Sequence, residues 1–142
     1  MTRQLYDDDR VRRILNAADI DILVACRPEN FSYISGVTRM MEHRFEREHT
    51  TFALLTRDAY PALIVPYFEF ETVREETSVT DLVPFRQSTG VSVDAATGSI
   101  LEGSHEAELA SKISELGFQN SRIGYDEKYT PVSVYELIRK HL

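Results

Sequence analysis

One short segment concentrates the residue types that bind metal ions. His43 and His49 lie there, six residues apart, among Glu42, Glu46 and Glu48. Imidazole and carboxylate groups are zinc ligands, and a helix brings two of them together at positions i and i+4. A separation of six puts the histidines on opposite faces of a helix, although on the same face of a strand. The spacing therefore favours a surface segment, with a metal site as the alternative.

A second set of residues has the types found in a phosphate-receiving signalling domain. Asp7, Asp8 and Asp9 are consecutive, and Lys128 could supply the cation. Such a pocket needs carboxylates at the carboxyl ends of strands, where open α/β sheets place their sites. The three aspartates instead precede a helical pattern, and no aspartate ends the strand predicted to finish at Thr56. Their position is typical of residues that cap the free N–H groups of a helix.

The motifs of other common enzyme chemistries do not occur in the sequence. It has no G-x-S-x-G nucleophile elbow, no phosphate-binding loop and no dinucleotide fingerprint. Cys26 is the only cysteine, so neither an internal disulfide nor a thiolate metal cage can form. It closes the apolar run Ile22-Leu23-Val24-Ala25, which predicts a buried, inert thiol. We therefore predict no catalytic residue and no metal ligand in this chain.

Composition limits the classes of protein that the chain can belong to. Its 142 residues match one domain, predicted to span 1–142. Sixteen basic residues against 23 acidic ones give a formal charge of −7, the wrong sign for a nucleic-acid partner. No apolar run approaches the roughly 18 residues that cross a bilayer, and Met1 to Arg13 lacks an apolar signal core. These features predict a cytoplasmic protein without membrane contact.

The apolar spacing predicts alternating helices and strands. Val11, Ile14, Leu15 and Ala18 recur at i, i+3, i+4 and i+7, which predicts a leading helix with these residues on one face. Strands are predicted at 21–26, 51–56, 62–65, 81–85 and 122–125, and further helices at 28–36, 69–76, 105–116 and after Thr130-Pro131. A turn at 57–61 predicts a hairpin, and 87–103 reads as a loop.

These elements predict a definite fold class. Alternation of helices and strands, apart from one hairpin, is typical of an α/β fold with a mixed β-sheet flanked by helices on both faces. Pro84 within the fourth strand favours an edge position, because proline cannot donate to a central ladder. The two remaining histidines, His105 and His141, fall on predicted helices with no clear partner and are predicted to lie at the surface.

Four stretches, in this order, resemble the N-terminal domain shared by creatinase, prolidase and aminopeptidase P. A short strand follows an Asp-Ile pair, and a signature of asparagine, tyrosine, a small residue and glycine comes next. A hairpin and a closing strand with its capped helix complete the resemblance, which runs from about Val11 to Leu142. The stretches are Ala18 to Val24, Glu29 to Gly36, Thr51 to Pro66 and Arg122 to Asp126.

The resemblance implies a larger parent protein. Members are metallopeptidase-type hydrolases, such as Xaa-Pro dipeptidases, or creatinase-like enzymes. Their separate C-terminal "pita-bread" domain, absent from this chain, holds two divalent metal ions with two Asp, one His and two Glu. The N-terminal domain, ribonuclease H-like in fold, binds no metal. It packs on its own catalytic domain, supports a homodimer and completes the partner subunit's substrate pocket.

The resemblance also singles out Arg44, Phe45 and Arg47. In creatinase-like members the connection after the Tyr-x-x-Gly helix carries a Phe-x-Arg pair that reaches a substrate in the other subunit, and Phe45-Glu46-Arg47 has that form. An arginine fork can donate two parallel hydrogen bonds to a substrate carboxylate. The competing interpretation is a solvated charged loop with Phe45 packed beneath it. For the chain as a whole, the alternative function is a free-standing protein-interaction module that kept the fold without the enzyme.

Overall fold

The computed structural model describes residues 4–38, 51–85 and 103–140. Within these ranges helices and strands alternate, as the sequence predicts. The helices are α1 (Asp8–Ala17), α2 (Pro28–Ser35), α3 (Tyr67–Glu76), α4 (His105–Glu115) and α5 (Val132–Lys140). The strands are β1 (Ile22–Ala25), β2 (Phe52–Thr56), β3 (Pro61–Pro66), β4 (Leu82–Phe85) and β5 (Ile123–Tyr125). The predicted loop at 87–103 lies outside the described residues except for its last position.

The five strands form one mixed sheet in the order β4-β3-β2-β1-β5. The β2–β3 hairpin lies at its centre, and β1 runs antiparallel to β2 with Val24 opposite Leu54. The two outer pairs are parallel: β1 with β5, and β3 with β4. Pro84 therefore lies on an edge strand, which confirms the prediction for that proline.

Helices cover both faces of this sheet and divide the core in two. Under α4 and α5, the first cluster joins strand residues such as Val24 and Leu54 to Leu109 and Ile138. Under α2 and α3, the second cluster joins the alternate strand residues to Phe31, Ile34 and Val73. All five residues of β2 are buried, which explains why Phe52 to Thr56 read as a nearly continuous apolar run. The predicted fold class is confirmed.

Helix α1 begins as predicted, and Leu15 is the one residue of the helix that is buried. The side chain of Asp7 accepts a hydrogen bond from the Arg10 N–H at 2.7 Å, so it is the N-cap. Leu15 is buried, whereas Ile14 is 51% exposed and Ala18 lies exposed at the C-cap. Successive helical residues point about 100° apart, so a helix that packs on one side only leaves Ile14 outside the contact. The spacing thus predicts the helix but does not distinguish the buried Leu15 from its exposed neighbours.

Helix α2 has the predicted asymmetry between its two ends. Pro28 occupies the first turn, and Gly36 follows the last residue with a φ of 76°, the left-handed conformation that favours glycine. The Gly36 N–H donates to the Ser32 carbonyl at 2.9 Å. The Thr77 hydroxyl, just after α3, donates to the Ser35 carbonyl at 2.6 Å. Helix α2 is thereby tied to its neighbour on the same face of the sheet.

The part of the chain that the structure describes contains no helix that is both long enough and apolar enough to cross a membrane. Its longest helix, α4, has 11 residues. At 1.5 Å per residue, that helix spans about half of a bilayer's hydrocarbon core.

The packing of α1 can be tested with two neighbouring alanine substitutions. We expect Leu15→Ala to lower the free energy of unfolding by about 2–4 kcal/mol, because it leaves a cavity beneath α1. Ile14→Ala should change it by less than about 0.5 kcal/mol, since half of that side chain is in solvent. Urea denaturation of dilute protein measures both values. Equal losses for the two variants would contradict this orientation of the helix.

Candidate functional site

The substrate-binding residues predicted from the sequence, Arg44, Phe45 and Arg47, lie outside the described residues. The same holds for His43 and His49. The described parts of the chain give the two ends of this connection: Val37 is fully buried and Thr51 is 4% exposed. The segment therefore starts and finishes at fixed points on the body of the domain.

The geometry does not support a phosphate-receiving pocket. Asp7 caps α1, and Asp9 pairs with Arg12 at 3.0 Å one turn later. Both carboxylates therefore lie at the start of a helix, whereas a phosphate-receiving pocket needs them at the end of a strand. The sheet is mixed, with an antiparallel hairpin at its centre, whereas the doubly wound folds that carry such pockets have mostly parallel sheets. Lys128 lies exposed in the turn after β5.

The carboxylate of Asp126, directly after β5, accepts three hydrogen bonds from the other end of the chain. Its Oδ2 atom accepts hydrogen bonds from the backbone N–H groups of Cys26 and Arg27, each at 2.8 Å. Its Oδ1 atom accepts a hydrogen bond from the side-chain amide of Asn30 at 2.6 Å. Since β1 and β5 are parallel neighbours, their carboxyl ends meet at one edge of the sheet. We call this group the Asp126 clasp. It joins two sequence stretches that lie about 100 residues apart.

The clasp caps α2, which lacks a cap of its own. Arg27 occupies the N-cap position without a side-chain hydrogen bond to the helix, so the first N–H groups need an acceptor from elsewhere. A carboxylate also interacts favourably with the positive end of the helix dipole. Asp126 therefore fixes the start of α2 from a distant part of the chain.

Thr130 and Cys26 extend the clasp toward the core. The Thr130 hydroxyl donates to the Asp126 carbonyl at 2.8 Å, and its oxygen lies 3.4 Å from the Cys26 sulfur. Burial raises the pKa of the Cys26 thiol, despite the opposing effect of the Thr130 hydrogen bond. A thiol of raised pKa is a poor nucleophile and a poor metal ligand at neutral pH. The predicted buried, free cysteine is confirmed.

A charged and aromatic rim surrounds the clasp on the solvent side. The Arg27 guanidinium lies 5.0 Å from the centre of the Tyr129 ring and 2.9 Å from the Glu29 carboxylate. The Tyr125 and Tyr135 rings meet edge to face at 5.7 Å nearby in the chain. The arginine is already paired, so the rim supports the turn that carries Asp126 and offers no unpaired cation to a ligand.

The chemistry available to the clasp is limited by its own hydrogen bonds. The carboxyl ends of parallel strands are where α/β enzymes usually place reacting groups. At this edge, however, the three donors occupy both oxygens of Asp126. In the described parts of the chain no group of three or more His, Cys, Asp or Glu residues is arranged to hold a metal ion. The clasp is therefore suited to holding the scaffold.

A second polar network, which the sequence did not reveal, surrounds Lys112 on α4. Its ammonium lies 2.8 Å from Asp81 and 2.9 Å from Glu115, and the Tyr60 hydroxyl donates to Asp81 at 3.0 Å. Burial by itself lowers the pKa of Lys112, but the hydrogen bonds to Asp81 and Glu115 outweigh it and raise the pKa. The Lys112 network joins α4, β4 and the hairpin turn. No spacing in the linear sequence indicates it, because its members come from three separate elements.

His105 also differs from its prediction as a surface residue without a partner. Its ring lies 5.9 Å from the Phe52 ring and 5.7 Å from the Phe85 ring, measured between centres. Its Nε2 atom is 3.0 Å from the Glu106 carboxylate, which also accepts the Ser133 hydroxyl at 3.0 Å. His105 therefore helps to pack α4 on the sheet and against α5, and the prediction was wrong.

The fold and the clasp together define a class of protein: a mixed α/β domain whose strand ends carry structural carboxylates. The family model described as "Creatinase/Prolidase N-terminal domain" matches residues 9–142. The chain therefore belongs to the creatinase/prolidase N-terminal domain family, which confirms the resemblance drawn from the sequence. No curated protein matches the chain.

Solved structures have the same fold at low sequence identity. A proline dipeptidase from Streptococcus pneumoniae aligns with a TM-score of 0.66 and 16% identity over 99% of this chain and 84% of the other. A creatinase-type domain of a dipeptidase from Streptococcus thermophilus aligns with a TM-score of 0.65 and 15% identity. This alignment covers 100% of this chain and 88% of the other. A prolidase from Pyrococcus furiosus aligns with a TM-score of 0.60 and 16% identity. This alignment covers 94% of this chain but only 32% of the prolidase. This chain thus matches about a third of the longer relative.

The importance of the clasp can be measured with Asp126→Asn. The amide has similar volume but can place a donor against the N–H groups of Cys26 and Arg27, leaving at least one of them unpaired. We expect a loss of about 1–3 kcal/mol in the free energy of unfolding. Glu127→Gln, one residue away and exposed, is the matched control and should change stability by less than about 0.5 kcal/mol. Similar values for both variants in chemical denaturation would show that the clasp is not stabilising.

The Lys112 network predicts a dependence on alkaline pH. The hydrogen bond to Asp81, followed by burial, raises the pKa of Tyr60 in the folded chain. A raised folded pKa means that the stabilisation is complete below the ordinary tyrosine value and is lost as the pH rises through the folded value. Tyr60→Phe should therefore cost up to about 1 kcal/mol at pH 7. The difference from wild type should shrink above about pH 10, and a constant difference in denaturation midpoints would contradict the network.

Proposed function

We propose that this chain is the non-catalytic N-terminal domain of a dinuclear-metal hydrolase, of the Xaa-Pro dipeptidase, aminopeptidase or creatinase-like kind. In this proposal the chemistry belongs to a separate C-terminal domain that carries two divalent metal ions. The N-terminal domain packs on that catalytic domain, supports a homodimer and completes the substrate pocket of the partner subunit. The cytoplasmic location stays a prediction from the sequence.

The Asp126 clasp is the observation that carries this proposal. Asp126 stands at the strand edge where an α/β enzyme would hold a reacting carboxylate, yet three donors occupy it. The asparagine of the family-like signature, Asn30, is one of those donors. Two of the four stretches that carry the resemblance thus meet in a structural contact. A domain whose signature residues hold its own elements together is suited to positioning a neighbouring catalytic domain.

The proposal assigns substrate contact to Arg44, Phe45 and Arg47. The connection that carries them begins after α2, whose start is fixed by the clasp and whose end is tied to Thr77. Arginine suits a substrate carboxylate because its fork can donate two parallel hydrogen bonds.

Substitution of Arg47 in the complete hydrolase tests the assignment. If Arg47 binds the substrate carboxylate of the partner subunit, Arg47→Ala should raise KM for an Xaa-Pro dipeptide about ten- to a hundredfold, the loss of a charge-assisted contact. The rise in KM should be smaller for a substrate whose carboxyl group is amidated. Arg139→Ala, on α5, is the control. Unchanged KM for both arginine variants would overturn the assignment without affecting the accessory role.

The accessory role itself has a separate test in the isolated chain. Purified residues 1–142 should release no amino acid from Xaa-Pro dipeptides when Mn²⁺, Co²⁺ or Zn²⁺ is supplied. Circular dichroism would verify that the sample is folded. Metal-dependent hydrolysis that stays with the chain through a second purification would refute the proposal.

A further inference from the structure

An apolar groove lies on the surface between the N-terminal segment and α2. It has a volume of about 450 Å³ and is lined by Leu5, Pro28, Glu29, Ser32 and Tyr33. Leu5 is 46% exposed and Tyr33 47% exposed, so two large apolar side chains border open space. We call this feature the α2 groove.

Acidic side chains surround the α2 groove. The Glu29 carboxylate is part of its lining and remains two-thirds exposed, although it pairs with Arg27. Asp8 lies close enough to raise the pKa of Tyr6, after the larger effect of burial, and the Tyr6 ring is 6.4 Å from Tyr33. The groove therefore suits an apolar side chain that is accompanied by positive charge.

The outer face of α1 has that complementary chemistry. Ile14 is 51% exposed, and Arg10 and Arg13 lie four and one residues before it, on the solvent side of the helix. In the described residues neither arginine forms an ion pair, in contrast to Arg12, which pairs with Asp9 at 3.0 Å. An exposed isoleucine beside two arginines without ion pairs in the described residues complements the apolar lining and the acidic border of the groove.

We propose that the α2 groove of one copy receives Ile14 of a second copy, in a reciprocal two-fold contact between the two α1 helices. The charge order along α1 supports an antiparallel pairing, since Asp7, Asp8 and Asp9 occupy its start and Arg10, Arg12 and Arg13 follow. An antiparallel partner places the acidic first turn of each helix beside the basic second turn of the other.

The distances along the chain fit this arrangement. At 1.5 Å per helical residue, Ile14 lies about 9 Å along α1 from Asp8, which borders the groove. A two-fold axis midway between Asp8 and Ile14 brings each Ile14 to the acidic border of the other copy's groove, as a symmetric, self-complementary interface requires. This proposal rests on the dimer part of the proposed function and specifies the surface that such a dimer uses.

Sedimentation velocity of this chain, from about 10 to 300 μM, tests the contact. The wild type should show a monomer–dimer equilibrium that weakens as salt rises from about 50 to 500 mM, because the pairs are exposed and screened. Arg10→Glu with Arg13→Glu should weaken dimerisation at least about tenfold, as should Asp8→Lys with Glu29→Lys. Reversal of Arg139 and Lys140 to glutamate makes the same change in net charge elsewhere and should leave dimerisation unchanged.

A mixture of the two α1-groove variants separates loss of the contact from loss of the fold. Each variant alone should be monomeric, but the mixture should form a heterodimer, since the reversed charges then match again. A wild type that is monomeric throughout this range would overturn the proposal, as would a dimer that ignores both reversals. In either case a hydrolase that dimerises through another surface would leave the proposed function intact.

Discussion

The hydrogen bonds of one carboxylate connect the two ends of this domain. Asp126, after the last strand, supplies the N-terminal cap that α2 lacks, and in doing so holds β5 beside β1. Charge-assisted bonds to backbone N–H groups are stronger than neutral ones, and they are strongly directional. The orientation of α2 therefore depends on a residue about 100 positions away.

The sequence predicted the elements well because their signals are local. Apolar runs, Pro28 and Gly36 gave α2 its bounds, and Pro84 indicated the edge strand. The order of strands in the sheet could not be predicted, since no local signal indicates that β1 pairs with β2 or that β4 and β5 form the two edges. The Asp126 clasp and the Lys112 network were missed for the same reason. One usable signal existed: a helix that begins at Arg27-Pro28 lacks a capping side chain, so an acceptor had to come from elsewhere.

The sequence did not show which side chains of α1 are buried, and its prediction for His105 was wrong. Ile14 follows the same spacing as Leu15, but α1 touches the body along a narrow stripe and leaves Ile14 in solvent. His105 looked unpartnered in the sequence, yet the Phe52 and Phe85 rings and Glu106 surround it. In both cases tertiary packing decided the outcome. The predicted site at Arg44, Phe45 and Arg47 stays a prediction, and it rests on family resemblance and not on the observed fold.

The central claim is that this domain serves a catalytic partner encoded in the same gene. Sequencing the source gene beyond the codon for Leu142 tests it most directly. The account predicts an open reading frame of a further domain's length that encodes two Asp, one His and two Glu, in that order. A stop codon directly after Leu142 would contradict it: the fold would stand, but the chain would then act as an interaction module without an enzyme.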